Sequence, residues 1–594
     1  MNSQRSTRTR LALTVIAVFA VVVVFAVRLI DIQVVRAGEL TTAAVANRSK
    51  TLTTYGTRGE IVDTDGTILA DSVDRFDITV SPKSVPVADD KNPVAMTVEA
   101  NPDGGASLKV TVDQALADIG RVTGTRVKTL KAAISADPAS DFAYLVKSVK
   151  LDVYTKVVAL GIPWVYDEPH PGRVYPNGAV AGNLVGFMGT DGAQAGVELM
   201  ENKCLASTNG TSTYERGADG VRIPGSTVTA TAPKDGGTVK LTIDEDLSYF
   251  VQQTITKRAK DIGAQWATAV VVRVKDGNLM AVADYPTVDP NNVSAAKRTA
   301  LGSLAFSTSY EPGSTFKPMT VASLMDAGKI TPTTEIKVPN QYIVKGGEIS
   351  DSWDHETLKY TTAGVILNSS NVGISVLSET LDKYQRHDYM TKFGIGSETA
   401  VHFNGEDSGQ LKAAKDWDPV TDKTVQFGQG VAATSVQVAS IYQTLANGGV
   451  QKPLSLVESC TAADGTVSGV PDKTGKRIVS KYAADSTVHM MEGVATVGWL
   501  APQLKIPGYR VAAKTGTAEV SENGVYTGDR IVSVAGIAPA DDPQYVVVAT
   551  YGKPDTMKTS EAAAPTFQKI MAQVLKKYRV LPSTKTDKPI PVTW

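Results

Sequence analysis

Residues 310–319 read Tyr310-Glu311-Pro312-Gly313-Ser314-Thr315-Phe316-Lys317-Pro318-Met319. Pro312 and Gly313 are turn residues. An apolar run through Val321 and Leu324 follows, so the stretch predicts a turn that opens a helix at Ser314. Lys317 then lies one helical turn on. Positions i and i+3 share a helix face, which brings the amine to the hydroxyl. A serine hydroxyl is a weak nucleophile until a neighbouring base takes its proton. The N–H groups at a helix start also favour a developing oxyanion. One turn thus offers a nucleophile, a base and half of an oxyanion hole.

Ser-x-x-Lys alone is a weak pattern. A second copy, Ser294-Ala295-Ala296-Lys297, is expected on a surface helix. Two later motifs raise the weight of the first. Asn368-Ser369-Ser370-Asn371 stands between apolar helical turns at 363–367 and 374–377. There a serine and an amide serve as relay and clamp, or simply as a helix cap. Ser-x-Asn also occurs at Ser207-Thr208-Asn209 and Ser521-Glu522-Asn523. Arg510–Glu519 reads as a strand carrying Lys514, Thr515, Gly516 and Thr517. Thr515 and Thr517 alternate onto one face, and Gly516 permits a close backbone approach. The copy Lys473-Thr474-Gly475 sits among Pro471, Asp472, Lys476 and Arg477 and reads as an exposed loop.

The rest of the chain is read around these motifs. Arg5, Arg8 and Arg10 precede an uncharged run, 11–27. With Arg28 snorkelling, 11–30 is long enough for about 30 Å of helix, one bilayer core. The expectation is a 1–10 cytoplasmic tail, an uncleaved 11–30 anchor, and an extracytoplasmic body. Residues 45–235 read as a β-rich pedestal with a helical part at 112–160, and lack a nucleophile with a base. Residues 236–580 read as one mixed α/β domain. It has a strand at 239–243, a helix from Glu245 to about 259, and a hairpin over 268–285. A mainly helical insert to about 500, three late strands and a closing helix follow. The implied sheet is antiparallel and built from both ends of the segment. The 581–594 tail, containing Pro and Lys, reads as loose.

Composition narrows the function classes. Lys plus Arg number 60 and Asp plus Glu 61, so nothing points to nucleic acid. The five His are scattered, and no metal-ligand spacing occurs. Cys204 and Cys460 form no framework, and their pairing is not legible in the sequence.

Ser314-x-x-Lys317, Ser369-x-Asn371 and Lys514-Thr515-Gly516, in that order, resemble the motif set of penicillin-binding proteins and serine β-lactamases. The anchor and long first domain resemble the class B penicillin-binding proteins, the peptidoglycan transpeptidases. The Arg58-Gly59 turn, Arg173-x-Tyr175-Pro176 and Gly196-Val197-Glu198 resemble that family's pedestal motifs. Leu241–Asp244 and Phe427–Gly430 resemble landmarks of its transpeptidase domain. Thr64 departs from the arginine usual there. The likeness covers roughly residues 25–580, and Ser370 points to the septal, cell-division branch.

The resemblance implies the penicillin-binding-protein fold, with a five-stranded antiparallel sheet and helices on both faces. It implies acyl transfer from a D-Ala-D-Ala stem through Ser314, with Lys317 as base. Ser369 would be the relay, and Asn371 would hold the donor peptide. Lys514, Thr515, Gly516 and Thr517 would hold the terminal carboxylate, and the N–H groups of Ser314 and Thr517 would form the oxyanion hole. It also implies β-lactam binding, no cofactor and no metal, and a membrane glycan polymerase and division proteins as partners. The rival readings are a carboxypeptidase or β-lactam hydrolase of the same superfamily, and an inert division scaffold.

Overall fold

The structure, a computed structural model, describes residues 3–90, 92–189, 191–215, 223, 225–522, 525–586 and 588–594. Met1 and Asn2 of the expected tail, and Asn523 of the third Ser-x-Asn copy, lie outside the described residues. The chain forms two compact units.

The first unit comprises residues 1–57 and 207–235. Its helix Ser3–Ile30 continues through a π-helical turn, Asp31–Val35, into the helix Ala37–Arg48. The segment Arg8–Val35 is long and apolar enough to cross a membrane. Its apolar side chains from Leu11 to Ile30 are exposed, as a lipid-facing helix requires. A three-stranded antiparallel sheet, Ser49–Thr54, Gly210–Glu215 and Val228–Thr231, completes the unit.

The second unit contains everything else. Its centre is a five-stranded antiparallel sheet. In spatial order the strands are Leu279–Tyr285, Trp266–Arg273, Tyr545–Gly552, Val525–Ala538 and Ala512–Glu522. The first two precede the helical insert and the last three follow it, as the pattern predicts. Two of the three inner strands, Trp266–Arg273 and Tyr545–Gly552, are near-continuous apolar runs because both faces are covered. Thr268 pairs across the ladder with Thr550. The Thr268 hydroxyl meets that of Ser435, which opens the helix Ser435–Ala446. Tyr551, the next residue and therefore on the opposite face, meets Thr566 of the helix Ala564–Lys577.

A second sheet, of seven strands, runs across the boundary expected at 235/236. Thr238–Leu241 pairs parallel with Ile61–Val62 and antiparallel with Val457–Thr461. Cys204 and Cys460 form a disulfide beside it. The strand Ile68–Val80 continues the sheet to Ala143–Val149 and Val165–Val174. Ala143–Val149 is a correction to the helical reading of 112–160: helices occupy Val112–Thr123, Val127–Ser135 and Leu151–Ala159 around it. Leu145 and Val149 bury there with Leu116, Ile119, Leu130 and Trp164 in a separate small core.

Three further expectations change. The insert carries two small antiparallel pairs, Glu335–Val338 with Leu358–Thr361 and Gln341–Val344 with Gly347–Ser350. Ser294 stands in a kinked 3-10 segment, Pro290–Ala295, rather than an α-helix, because Asn292 leaves helical geometry. Finally, residues 588–594 are not loose. Thr593 bridges Tyr360, and the Trp594 indole N–H donates to the Ile336 carbonyl.

Candidate active site

Three elements converge on Lys317. The first is the turn Gly313–Phe316, one round of 3-10 helix leading into the α-helix Lys317–Asp326. Every residue of that helix but the last is buried, so it is a core element. Phe427–Gly430 brackets the turn. Gly313 N donates to Gly428 O at 3.0 Å, and Gly430 N donates to Glu311 Oε1 at 2.8 Å. Gly428 has φ +81°, and a Cβ there would lie 2.3 Å from Gly313 O, which only glycine avoids.

The second element is the break between the helices Thr362–Asn368 and Asn371–Ser378. Ser370 is the cap in this triplet: its hydroxyl accepts from Gly373 N at 2.7 Å. Ser369 instead adopts left-handed backbone, φ 58°, at a cost of about 1–2 kcal/mol. This frees its hydroxyl for the site.

The third element is the edge strand Ala512–Glu522. Lys514 and Gly516 face the Ser314 turn. A Cβ on Gly516 would meet Ser533 Oγ at 2.5 Å, Thr315 Cγ2 at 2.9 Å and Pro312 O at 3.1 Å. Glycine here admits the turn that carries Ser314, a packing reason beyond the approach of a ligand backbone. Thr515 and Thr517 alternate to the other face. Thr515 is half-buried and Thr517 exposed, with the Thr517 hydroxyl 3.1 Å from that of Ser560.

Lys317 Nζ lies 3.0 Å from Ser314 Oγ, 2.8 Å from Asn371 Oδ1 and 3.2 Å from Ser369 Oγ, and it also donates to the Ser369 carbonyl. Lys514 Nζ donates to Ser369 Oγ at 2.9 Å and Thr515 O at 3.1 Å. Ser369 Oγ therefore bridges the two lysines. Both side chains are fully buried. Burial first, and Lys514 second, hold the Lys317 ammonium well below its ordinary range, while Asp351 opposes them. Burial alone pushes Lys514 down to about 7. A neutral amine has two N–H donors and one lone pair. The carbonyl oxygens of Ser369 and Asn371 accept only, so they take both N–H groups and leave the lone pair for the Ser314 hydroxyl.

The decoys stay apart. Ser294 and Lys297 are exposed, and the Ser294 hydroxyl donates to Asn292. Lys473 lies in a loop and donates to Asn278.

Sequence reasoning missed Asp351. Its buried carboxylate accepts from Ser370 Oγ at 2.7 Å, Asn371 N at 2.5 Å and Val372 N at 3.1 Å. It lies 19 residues from the motif, so no local spacing signals it. Ser560 was missed for the same reason.

Comparison with known proteins identifies the family. The model of the penicillin-binding protein transpeptidase domain matches residues 267–572, and that of the penicillin-binding protein dimerisation domain matches 53–241. The chain belongs to the penicillin-binding protein transpeptidase family. It is 32% identical to penicillin-binding protein PbpB of Mycolicibacterium smegmatis, over 95% of this chain and 90% of that one. It is 30% identical to peptidoglycan D,D-transpeptidase FtsI of Escherichia coli, over 89% and 85%. Among solved structures, penicillin-binding protein 3 of Mycobacterium tuberculosis, complexed with aztreonam, superposes with TM-score 0.67 and 25% identity, covering 90% and 98%. A peptidoglycan synthetase from Bifidobacterium adolescentis gives TM-score 0.71 and 30% identity, covering 92% and 100%.

Proposed function

We propose that this chain is a septal peptidoglycan D,D-transpeptidase, inhibited by β-lactams, working through an acyl-enzyme on Ser314. The observation that carries this is the buried Lys317 Nζ 3.0 Å from Ser314 Oγ, with the Ser369 and Asn371 carbonyl oxygens taking its N–H groups. Ser314 Oγ attacks the penultimate D-Ala carbonyl of a stem peptide as its proton passes to Lys317. The tetrahedral oxyanion is held by the N–H groups of Ser314 and Thr517. When the amide C–N bond breaks, the proton passes through Ser369 to the leaving D-Ala amine. An amine from a neighbouring stem then attacks the ester. A new amide forms and Ser314 is regenerated.

Asn371 holds the donor peptide. The strand Ala512–Glu522 is the sheet's edge, so an extended stem can add to it as another strand. Lys514, Thr515, Gly516 and Thr517 hold the carboxylate there. Lys514 attracts that carboxylate while protonated, and its fall to about 7 weakens the attraction as pH rises past neutrality. The N-terminal arginines place the N-terminus in the cytoplasm and the catalytic unit outside. A membrane glycan polymerase supplies the strands, and the pedestal docks division proteins. The septal assignment rests on Ser370 and on the similarity to a protein named FtsI.

Labelling with a fluorescent penicillin, followed by mass spectrometry of the digest, tests the mechanism. The adduct is expected on Ser314. Ser314→Ala abolishes it and Ser294→Ala leaves it unchanged. An adduct on any other residue would overturn the assignment.

A further inference from the structure

Residues 588–594 lie along the strand Leu358–Thr361 and the first turn of the helix Thr362–Asn368. Thr361 N donates to Val592 O at 3.1 Å, and Thr361 Oγ1 donates to Pro591 O at 2.6 Å. That same hydroxyl caps the helix by accepting from Gly364 N at 3.2 Å. A Cβ on Gly364 would lie 2.0 Å from Val592 O, so only glycine admits the segment. Trp594 Nε1–H donates to Ile336 O at 3.2 Å, and Lys359 Nζ sits 4.9 Å from the Trp594 ring centre. Ile590 and Val592 pack, half-buried, on the main core.

The clamped helix has seven residues, and so short a helix has little stability of its own. Its N-terminal cap is Thr361 and its C-terminal cap is Ser369. Two turns, about 10 Å, separate the clamp from the hydroxyl that bridges the lysines. Ser369 also carries a strained left-handed backbone, which persists only where its surroundings hold it.

We propose that residues 588–594 are a strap, acting in cis, that holds the Ser369 helix in register and thereby sets the rate of Ser314 acylation. The strap makes no contact with substrate; it positions Ser369 through the helix. This rests on the acyl-enzyme mechanism proposed above for Ser314, in which Ser369 is the relay. Labelling of Ser314 in the unaltered chain tests that assignment separately: its loss would sink the mechanism, whereas the strap is judged only by the relative rates below.

The test measures the fluorescent-penicillin acylation rate constant in a two-by-two set: full chain or chain ending at residue 587, each with Gly364 or Gly364→Ala. Truncation is expected to slow acylation by about 10- to 100-fold, the scale of a small misplacement at a reacting centre. In the full chain Gly364→Ala drives a methyl into Val592 O and slows acylation similarly. In the truncated chain it adds little, because the clash with Val592 O is gone, only the 3.2 Å approach to Tyr360 Cβ remains, and the two changes couple. A synthetic peptide spanning 588–594 restores the truncated chain's rate. An unchanged rate after truncation, even with a lower melting temperature, overturns the proposal. So does a Gly364→Ala effect equally large in both chains. If the truncated chain fails to fold, Gly364→Ala and Trp594→Ala in the full chain decide: unchanged rates in both overturn the strap.

Discussion

The transpeptidase core buries two cations and the pedestal largely covers two more, and they treat them in opposite ways. In the pedestal, Arg58 and Arg173 close on Glu198, whose side chain is wholly buried. Arg58 Nε donates to Glu198 Oε2 at 2.7 Å and Arg173 Nε to Oε1 at 2.6 Å. Arg58 also donates to Glu198 O and Asn202 Oδ1, Arg173 to Gly59 O, and the Tyr175 hydroxyl to the same carboxylate. In the core, Lys317 and Lys514 share a serine hydroxyl. The nearby carboxylate, Asp351, spends its oxygens on Ser370, Asn371, Val372 and the His355 ring instead. A guanidinium does not lose its proton in a protein, so burying it demands a counter-charge. An ammonium has another way out. Desolvation without a full partner turns it into an amine, and an amine is a base. The pedestal uses paired charge to hold three sequence-distant segments together; the core's unpaired ammonium groups suit the proposed proton acceptor.

The largest expected effect comes from carrying the pedestal's solution into the core. Lys317→Arg keeps the charge and forbids its loss, so penicillin acylation should fall by about 10²- to 10⁴-fold or more. Near-normal acylation in this variant would show that Lys317 is not the base. Removing the pedestal's counter-charge comes next. Glu198→Ala leaves two largely covered guanidiniums without their buried anion and should cost about 3–5 kcal/mol of folding stability, read by denaturant unfolding. Its folded fraction should still be acylated at the normal rate.

A smaller loss is expected for the reciprocal exchange. Arg173→Lys keeps the charge but loses the fork that reaches Gly59 and Glu198 together. The expected cost is about 1–3 kcal/mol, the scale of a lost charged hydrogen bond. A loss as large as that of Glu198→Ala would mean that geometry rather than charge balance governs the cluster. The smallest effect is a displacement of a pH profile. Asp351 favours the protonated form of Lys317, and the proposed base acts only unprotonated. Asp351→Asn therefore lowers the Lys317 pKa further, and the acidic limb of acylation against pH moves to lower pH, by up to about 1 unit. A slower reaction with an unmoved limb would leave Asp351 a purely structural role.

The amino-acid sequence by itself carried the parts of this protein that depend on local chemistry. The Pro-Gly turn before Ser314, the i, i+3 spacing to Lys317, the apolar anchor helix and the alternation of Lys514 with Thr515 are properties of neighbouring residues. Backbone periodicity turns them directly into geometry. The five sheet strands were legible too, because their apolar runs are bounded by turns. What the sequence left open concerns residues far apart in the chain. Whether Cys204 meets Cys460, 256 residues on, depends on a sheet joining 61–62, 238–241 and 457–461. That Asp351 holds Asn371, and that 588–594 clamps Thr361, depends on loop paths that no periodicity records. Most of all, tertiary structure decided the state of Lys317. Packing removes water from its ordinary side chain and sets a second lysine beside it, and both hold its ammonium well below the usual range, as the proposed base requires.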